Sequence, residues 1–261
     1  MKGVDISHWQ GNIDWKKVND EAKYAIIKCS EGIGYIDPTF VKNKAGARDA
    51  DLLLGFYHFA RGNDAIKEAD FFVKSVGDIK VGEFLVLDWE IQHSNPVSWC
   101  KTFLDRVTEK VGFKPLIYIN SSTAKSFNWK PVIDASYGLW IAAYGPNNGE
   151  MNGDPAIGAW PFAAIWQYTS RGRISGISGN VDLNWAYMKI ETLQKYGKPK
   201  EAAAIDYKKL YEDEKELGKA RLSRIDELVK EKDQFKKSSE IFEKKYKDIQ
   251  EIIGKVKALI N

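Results

Sequence analysis

Two carboxylates placed two residues apart, Asp88 and Glu90, are the pair in this sequence best suited to catalysis. They follow the apolar run at residues 84–87. A short apolar run of this kind predicts a strand that is buried on both faces, as in a parallel sheet, and that reaches solvent at its C-terminal end. Because side chains alternate along a strand, the two carboxylates should point to the same side, with Cα atoms roughly 6.5 Å apart.

Like charges held this close raise the pKa of the carboxyl with fewer hydrogen bonds. One acid and one base are then present near neutral pH, which is the pair that hydrolysis of a glycosidic bond requires. Two solvated acids in an ordinary loop are the alternative that this segment alone leaves open.

The segments around this pair alternate between strand and helix patterns. Strands are predicted at about residues 4–7, 23–30, 52–60, 84–90, 115–120, 139–144, 163–168 and 180–183, and helices at about 14–22, 38–50, 64–76, 95–111 and 122–127. Five strand–helix repeats predict right-handed βα units and a parallel sheet. The last three strands have Gly-, Asn- and Pro-rich connections instead of helices. The pattern predicts an α/β fold, a TIM-like barrel whose last third lacks helices.

In such barrels the catalytic residues gather at the C-terminal ends of the strands. Seven polar residues fall at or near the predicted ends: Asp5, Asp88, Glu90, Tyr118, Tyr144, Gln167 and Asp182.

Composition narrows the function classes. A net charge of +3, with both signs interspersed, gives no support for a nucleic-acid groove. Nine Trp and twelve Tyr could line a sugar-binding cleft, although most should fill the core.

The three histidines, His8, His58 and His93, are scattered, so we expect neither a metal site nor a cofactor, and we expect His58 to be a core histidine. Cys29 and Cys100 lack metal-ligand spacing and should be buried free thiols.

The N-terminal residues begin directly as a strand pattern, and no apolar run is long enough to span a membrane. We therefore expect a protein made in the cytoplasm without a signal peptide and without stable membrane insertion.

Seven short segments occur in the order found in one enzyme family: GVDIS at 3–7, IKCSE at 27–31, GFYHFA at 55–60, LDWE at 87–90, LWIAAY at 139–144, WQY at 166–168 and VDLN at 181–184. On these segments the sequence resembles glycoside hydrolase family 25, the Chalaropsis-type lysozymes, which include many bacteriophage endolysins. The resemblance covers residues 1 to about 190. It implies a (βα)5β3 barrel and an N-acetylmuramidase that cuts the β-1,4 bond between N-acetylmuramic acid and N-acetylglucosamine in bacterial peptidoglycan.

The same resemblance implies roles for individual residues. Glu90 matches the general acid, and Asp88 matches a residue that stabilises the transition state directly or orients the substrate's 2-acetamido group. Asp5 and Asp182 match two further acids of the cleft. Tyr57, Tyr118, Tyr144 and Gln167 match positions that line the cleft, as does Lys28, for which an ordinary surface lysine at a strand end is the alternative. Whether the anomeric configuration is retained stays open, since a pair on one strand and a pair across the barrel would give different answers.

Two other functions remain possible. A chitinase-like glycosidase also uses an acid on a barrel strand, but its pattern has further acidic residues before the Asp-x-Glu segment, where residues 84–87 are wholly apolar here. A non-catalytic carbohydrate-binding barrel is the other, although all four cleft acids are present.

The composition changes after residue 199, where Lys, Glu and helix-forming residues dominate. We expect residues 1–195 to form the catalytic barrel, 196–204 a linker and 205–261 an all-α coiled coil or helical hairpin, with a candidate break at Gly218.

A register of three and four residues from 207 to 260 is apolar or aromatic at most positions, and such a stripe needs a partner in water. Homo-oligomerisation or cell-wall targeting are the two interpretations. The expected protein is released to the wall at lysis.

Overall fold

The computed structural model describes residues 1–199 and, further along, residues 227, 230–232, 234, 236, 239 and 242–250. The chain divides into two compact units, Met1–Glu201 and Ala202–Asn261.

The first unit has nine strands. They are β1 Lys2–Ile6, β2 Tyr24–Glu31, β3 Tyr35–Ile36, β4 Leu53–Phe59, β5 Phe84–Asp88, β6 Leu116–Asn120, β7 Leu139–Ala142, β8 Ile165–Gly172 and β9 Val181–Ala186. The helices are α1 Trp15–Glu21, α2 Phe40–Asp49, α3 Ala65–Val76, α4 Pro96–Val111, α5 Ser121–Ser126, α6 Lys130–Asp134 and α7 Ile190–Leu193, with 3-10 turns at His8–Gln10 and Gln194–Gly197.

Eight of the strands close into a barrel in the order β1-β2-β4-β5-β6-β7-β8-β9, and β9 pairs back with β1. Neighbouring strands from β1 to β8 are parallel, whereas β9 is antiparallel to both β8 and β1. The predicted closed α/β barrel is thus confirmed. The short β3, which pairs only with the end of β2, was not predicted.

Local sequence explains where several helices begin. Asp14 and Asp64 accept hydrogen bonds from the backbone of Lys17 and Lys67, respectively, which cap α1 and α3 at their predicted starts. The prediction for α2 was wrong at its start, because Asp37 accepts hydrogen bonds from the backbone and side chain of Thr39. That turn delays the helix to Phe40, two residues after its predicted start at about residue 38.

In the lower layers of the barrel interior, large aromatic side chains pack against glycines. A Cβ on Gly3 would lie 2.3 Å from the Tyr24 ring, and one on Gly55 would lie 2.5 Å from Phe84. Both rings are fully buried. Because these two glycines leave room for aromatic rings in the lower layers, only the upper layer of the interior is open to polar side chains.

The lower end of the barrel is closed by α7 and the turn that follows it. Leu193 is fully buried, and Gly197 accepts a backbone hydrogen bond from Gly82. A Cβ on Gly197 would lie 2.1 Å from the Glu83 carbonyl oxygen. Residues up to 197 therefore pack as part of the first unit.

In the second unit, the described residues are helical and exposed. Phe242, Tyr246 and Ile249 lie four and three residues apart, with 78%, 64% and 53% of their surface exposed. Most of the expected stripe, including Gly218, lies outside the described residues, so the all-α module stays a prediction. Among the helices that the structure describes, none is both long and apolar enough to cross a bilayer.

Candidate active site

A cleft of about 240 Å³ opens at the mouth of the barrel, where the parallel strands end. Every residue singled out from the sequence lines it: Asp5, Lys28, Tyr57, Asp88, Glu90, Tyr118, Tyr144, Gln167 and Asp182. These residues come from all eight strands of the barrel or the loops that follow them. Because the barrel is closed, strands that are far apart in sequence meet at this one cavity.

Asp88 and Glu90 face the same cleft, as alternation predicts, although β5 itself ends at Asp88. Asp88 is buried, and one of its oxygens, Oδ1, has no hydrogen-bond partner among the described residues. Burial raises the pKa of Asp88 well above its usual value, and the charges of Glu90 and Asp5 raise it further.

Glu90 lies at the mouth of the cleft and is exposed to solvent. Desolvation by its surroundings still raises the pKa of Glu90, while the interaction with Asp88 and the charge of Lys28 act in the opposite direction. The pKa of both carboxyls is therefore raised, which favours a proton on the pair.

Asp5 and Asp182 face each other across the antiparallel pair of β1 and β9, where they are register partners. Asp182 lies near the start of β9, so its expected position at the C-terminal end of a strand was wrong. It reaches the same mouth because β9 runs in the opposite direction. Burial and the charge of Glu90 raise the pKa of Asp182 to about 6. Burial and the charge of Asp182 raise the pKa of Asp5 well above its usual value.

Gln167 is the centre of a buried hydrogen-bond network. Its Nε2 donates to Asp5 Oδ2 over 2.9 Å. Its Oε1 accepts hydrogen bonds from the hydroxyls of Tyr118 and Tyr144 over 2.8 and 2.7 Å. These bonds determine which way the amide is turned, and they hold both tyrosines against the wall of the cleft.

Lys28 is buried inside the mouth, so the alternative of an ordinary surface lysine is excluded by its position. Its Nζ donates to Glu31 Oε2 over 2.6 Å and lies 4.9 Å from the centre of the Phe59 ring. Glu31 also accepts a hydrogen bond from Arg61. The lysine is therefore held on one side of the cleft as a paired cation.

Sequence reasoning missed several residues of the site. Asn184 is fully buried and donates to Asp5 Oδ2 over 2.7 Å, while its own Oδ1 accepts a hydrogen bond from Trp140 Nε1. Alternation along β9 could have found it, since it lies two residues after Asp182 on the same face. Trp9, which is 82% exposed at the rim, gave no periodic signal because it lies in a 3-10 turn.

His58 lies outside this cleft, and the expectation of a core histidine is confirmed. Its ring nitrogens contact Ser30 Oγ and Glu68 Oε2, each over 2.9 Å. The three residues have the order of a serine–histidine–acid relay, but all three are fully buried, so no substrate can reach them. Burial lowers the pKa of His58, which favours the neutral imidazole. Cys29 and Cys100 are buried free thiols, as expected.

The comparison with known proteins gives the family of this barrel. Residues 4–177 match the family model described as "Glycosyl hydrolases family 25". The chain is 28% identical over 202 residues to Lysozyme M1 of Streptomyces globisporus, with 70% of this chain and 67% of the relative covered.

Two solved structures have the same fold. The bacterial lysozyme from Streptomyces coelicolor superposes with a TM-score of 0.64 at 28% identity, covering 76% of this chain and 96% of that one. The CTP1L endolysin superposes with a TM-score of 0.64 at 34% identity, covering 74% and 69%. The chain therefore belongs to glycosyl hydrolases family 25 and is a glycoside hydrolase.

Proposed function

We propose that this protein is a lysozyme that hydrolyses bacterial peptidoglycan as an N-acetylmuramidase. Its bond is the β-1,4 linkage between N-acetylmuramic acid and N-acetylglucosamine. The observation that supports this most strongly is the convergence of Asp5, Asp88, Glu90 and Asp182 in one cleft of a family 25 barrel, each with a raised pKa. The relatives named lysozyme and endolysin support the same substrate.

Glu90 is the general acid in this proposal. It lies at the open mouth, where a polymer can reach it, and its raised pKa favours the protonated form that a donor requires. As the glycosidic bond breaks, the proton of Glu90 passes to the oxygen of the departing N-acetylglucosamine. The resulting carboxylate then accepts a proton from the water that completes hydrolysis.

Asp88 is the residue that orients the substrate's 2-acetamido group. It lies two residues before Glu90 and faces the same cleft, so the two carboxyls do not flank a sugar from opposite faces as an acid and a nucleophile would. Its Oδ1, which has no partner in the described part of the chain, is available to accept a hydrogen bond from the acetamido N–H. The acetamido oxygen then attacks C1, and water opens the ring that forms, which predicts retention of configuration.

In their ionised forms, Asp5 and Asp182 support the positive charge that develops at the anomeric carbon. Asp5 is held by hydrogen bonds from Gln167 and Asn184, so its position is fixed before the substrate enters. The remaining residues of the proposed sugar site lie on the walls of the same cleft: Lys28, Tyr57, Tyr118, Tyr144 and Gln167.

Digestion of purified peptidoglycan by wild type and Glu90→Gln tests this function. The products are reduced with borohydride, and the reduced sugar is identified by mass spectrometry. We expect muramitol ends from the wild type and a rate at least about 100-fold lower for Glu90→Gln, because a positioned acid contributes on that order. Glu109→Gln removes an exposed carboxyl of α4 and is the matched control, with an unchanged rate.

Each contrary outcome points to a different error. Glucosaminitol ends would show that the other bond of the polymer is cut. Cleavage of chitin oligosaccharides at a comparable rate would favour the chitinase-like alternative. No cleavage by any of the three proteins would favour the carbohydrate-binding barrel, and an unchanged rate for Glu90→Gln would remove its role as the acid.

We further propose a two-part organisation, with a catalytic barrel over residues 1–195 and a helical module over 205–261. Of the expected linker over 196–204, residues 196 and 197 pack against the barrel. The described stripe of Phe242, Tyr246 and Ile249 supports self-association through this module, because an exposed apolar helix face is stabilised by a partner. A role as a phage endolysin, released to the wall during lysis, is the biological setting that we propose, supported by the similarity to the CTP1L endolysin.

A further inference from the structure

Trp140 and Asn184 form a hydrogen-bonded chain that ends on Asp5 in the catalytic cleft. Asn184 Nδ2 donates to Asp5 Oδ2 over 2.7 Å, and Asn184 Oδ1 accepts a hydrogen bond from Trp140 Nε1 over 2.8 Å. All three side chains are buried. We propose that Trp140 and Asn184 are positioning residues that hold Asp5 in its ionised form during the reaction. This inference rests on the proposed muramidase function, in which the charge of Asp5 supports the reacting sugar.

The indole of Trp140 determines which way the amide of Asn184 is turned. An indole N–H can only donate, so the atom that faces it must be the amide oxygen. The amide nitrogen then faces Asp5, where it donates to the carboxylate. If the amide were turned over, its oxygen would face a carboxylate oxygen and its NH2 group would face the indole N–H. Both of those contacts would be repulsive, so the chain has one direction and presents a donor to Asp5.

Packing holds the indole in the position from which it donates. Trp140 on β7 and Tyr118 on β6 are register partners, and their rings meet edge to face with centroids 4.5 Å apart. The Tyr118 hydroxyl begins a second chain, which passes through Gln167 to the same oxygen of Asp5. Gln167 and Asn184 are themselves register partners on β8 and β9. Two neighbouring amides, each oriented by an aromatic donor, therefore converge on Asp5 Oδ2.

Asp5 needs these donors because its surroundings favour the neutral acid. Burial and the negative charges of Asp182 and Glu90 raise the pKa of Asp5, whereas the hydrogen bonds from Gln167 and Asn184 lower it. A hydrogen bond to the charged form of a carboxyl favours that form. The two amides thus oppose the effects of burial and of the neighbouring carboxylates on the same group.

The other titratable groups near Asp5 do not replace the amides. The groups that line the same cleft or interact with Asp5 come from β2, β4, β5, β6 and the loop after β7: Tyr24, Lys28, Tyr57, Asp88, Tyr118 and Tyr144. Lys28 is the one cation in this set, and its ammonium donates to Glu31. The donors from Gln167 and Asn184 are therefore the contacts that favour the anion of Asp5.

Removing one donor should raise the pKa of Asp5, so that this carboxyl is protonated at a higher pH. The acid limb of the pH profile of kcat/KM reports a group that must be ionised in the free enzyme. We expect this limb to move upward by about one pH unit in Asn184→Leu, which removes the donor. In Trp140→Phe the amide stays but is free to turn, and we expect a shift of about half a unit. Initial rates on soluble peptidoglycan fragments from about pH 3 to about pH 8 measure both shifts.

Trp129→Phe is the matched control. Trp129 is also a buried indole, but its Nε1 donates to the Thr123 carbonyl oxygen, away from the cleft acids. This variant should leave the acid limb where it is in wild type. When Trp140→Phe and Asn184→Leu are combined, the limb should move no further than in Asn184→Leu alone, because the indole acts only through the amide.

An NMR titration of the side-chain carboxyl carbons tests the same inference without turnover. Asp5 should titrate at a higher pH in Trp140→Phe than in wild type. Trp140→Phe, which keeps an aromatic ring against Tyr118, carries the test if Asn184→Leu does not fold.

Three results would overturn the positioning role: rates lowered equally at every pH, a titration of Asp5 that does not move, or additive shifts in the double variant. A wild type that does not cut peptidoglycan would instead overturn the proposed muramidase. The NMR titration would then still decide whether Trp140 and Asn184 hold Asp5 in its ionised form.

Discussion

The raised pKa of a carboxyl in this site makes the free energy of unfolding depend on pH. The pKa of Asp182 is raised to about 6 by burial and by the charge of Glu90, whereas an unfolded aspartate titrates near 3.9. Between these two values the folded protein binds more protons than the unfolded chain does. The free energy of unfolding therefore falls as pH rises through this window, and the stabilisation is present in full only below about pH 4.

We predict that the free energy of unfolding of the Asp182→Asn variant depends less on pH than that of the wild type. The free energy of unfolding of the variant, relative to wild type, should increase between pH 4 and pH 7 by about 1–3 kcal/mol, since one unit of pKa corresponds to about 1.4 kcal/mol. Urea denaturation at pH 4, 5, 6 and 7 measures it. Asp134→Asn, which alters an exposed carboxyl, should leave the pH profile as it is. Parallel profiles for Asp182→Asn and wild type would show that this carboxyl does not titrate abnormally.

At the scale of elements, the buried side chain of Glu68 holds the connection between β4 and α3 in place. Glu68 accepts hydrogen bonds from His58 Nε2 and from the backbone of Arg61 and Asn63. All of these donors lie on the loop and strand that lead into α3. Since a buried donor without a partner costs about 1–3 kcal/mol, this single side chain stabilises the connection more than a surface ion pair could.

We predict that Glu68→Ala lowers the free energy of unfolding by about 3–5 kcal/mol, because it leaves three donors unsatisfied and creates a cavity. Chemical denaturation at pH 7 measures the loss. Asp134→Ala is the control, because its exposed pair with Lys130 should contribute less than about 1 kcal/mol. A loss for Glu68→Ala no larger than that of the control would mean that water or another group satisfies these donors.

At the scale of the whole molecule, the first unit contains its own closed sheet. Each strand of the barrel pairs with neighbouring strands of the same unit, and residues 190–197 close the lower end of the barrel. The exposed apolar stripe at Phe242, Tyr246 and Ile249 belongs to the second unit. Catalysis and self-association are therefore expected to reside in separate parts of the chain.

Deleting residues 202–261 tests this separation. We predict that the truncated protein keeps its thermal midpoint within about 3 °C and its rate on soluble peptidoglycan fragments, because the core of the barrel is complete without them. Sedimentation equilibrium should show a monomer for the truncated protein and a larger species for the full chain. Collapse of the barrel on truncation would contradict independent folding, and a monomeric full chain would contradict self-association.

Much of the barrel was predictable from local patterns, because strand and helix periodicity, turn residues and helix caps act over a few residues. The predicted helix that starts at about residue 64 and the strand predicted from the apolar run before Asp88 both occur in the structure. The boundaries were less predictable where side chains redirect the backbone, as Asp37 does before α2. The short β3 was missed because two exposed residues give no periodic signal.

The sequence by itself therefore determined most of the elements, the closed barrel and the set of polar residues near the strand ends. Only the tertiary structure decided how those residues face one another, because contacts such as Asp5 with Asn184 join residues that are 179 positions apart. One example is the antiparallel direction of β9, which places Asp182, near the start of that strand, opposite Asp5. The hydrogen-bond network of Gln167 is another, because Asp5, Tyr118 and Tyr144 reach one side chain only after the strands have closed into a ring.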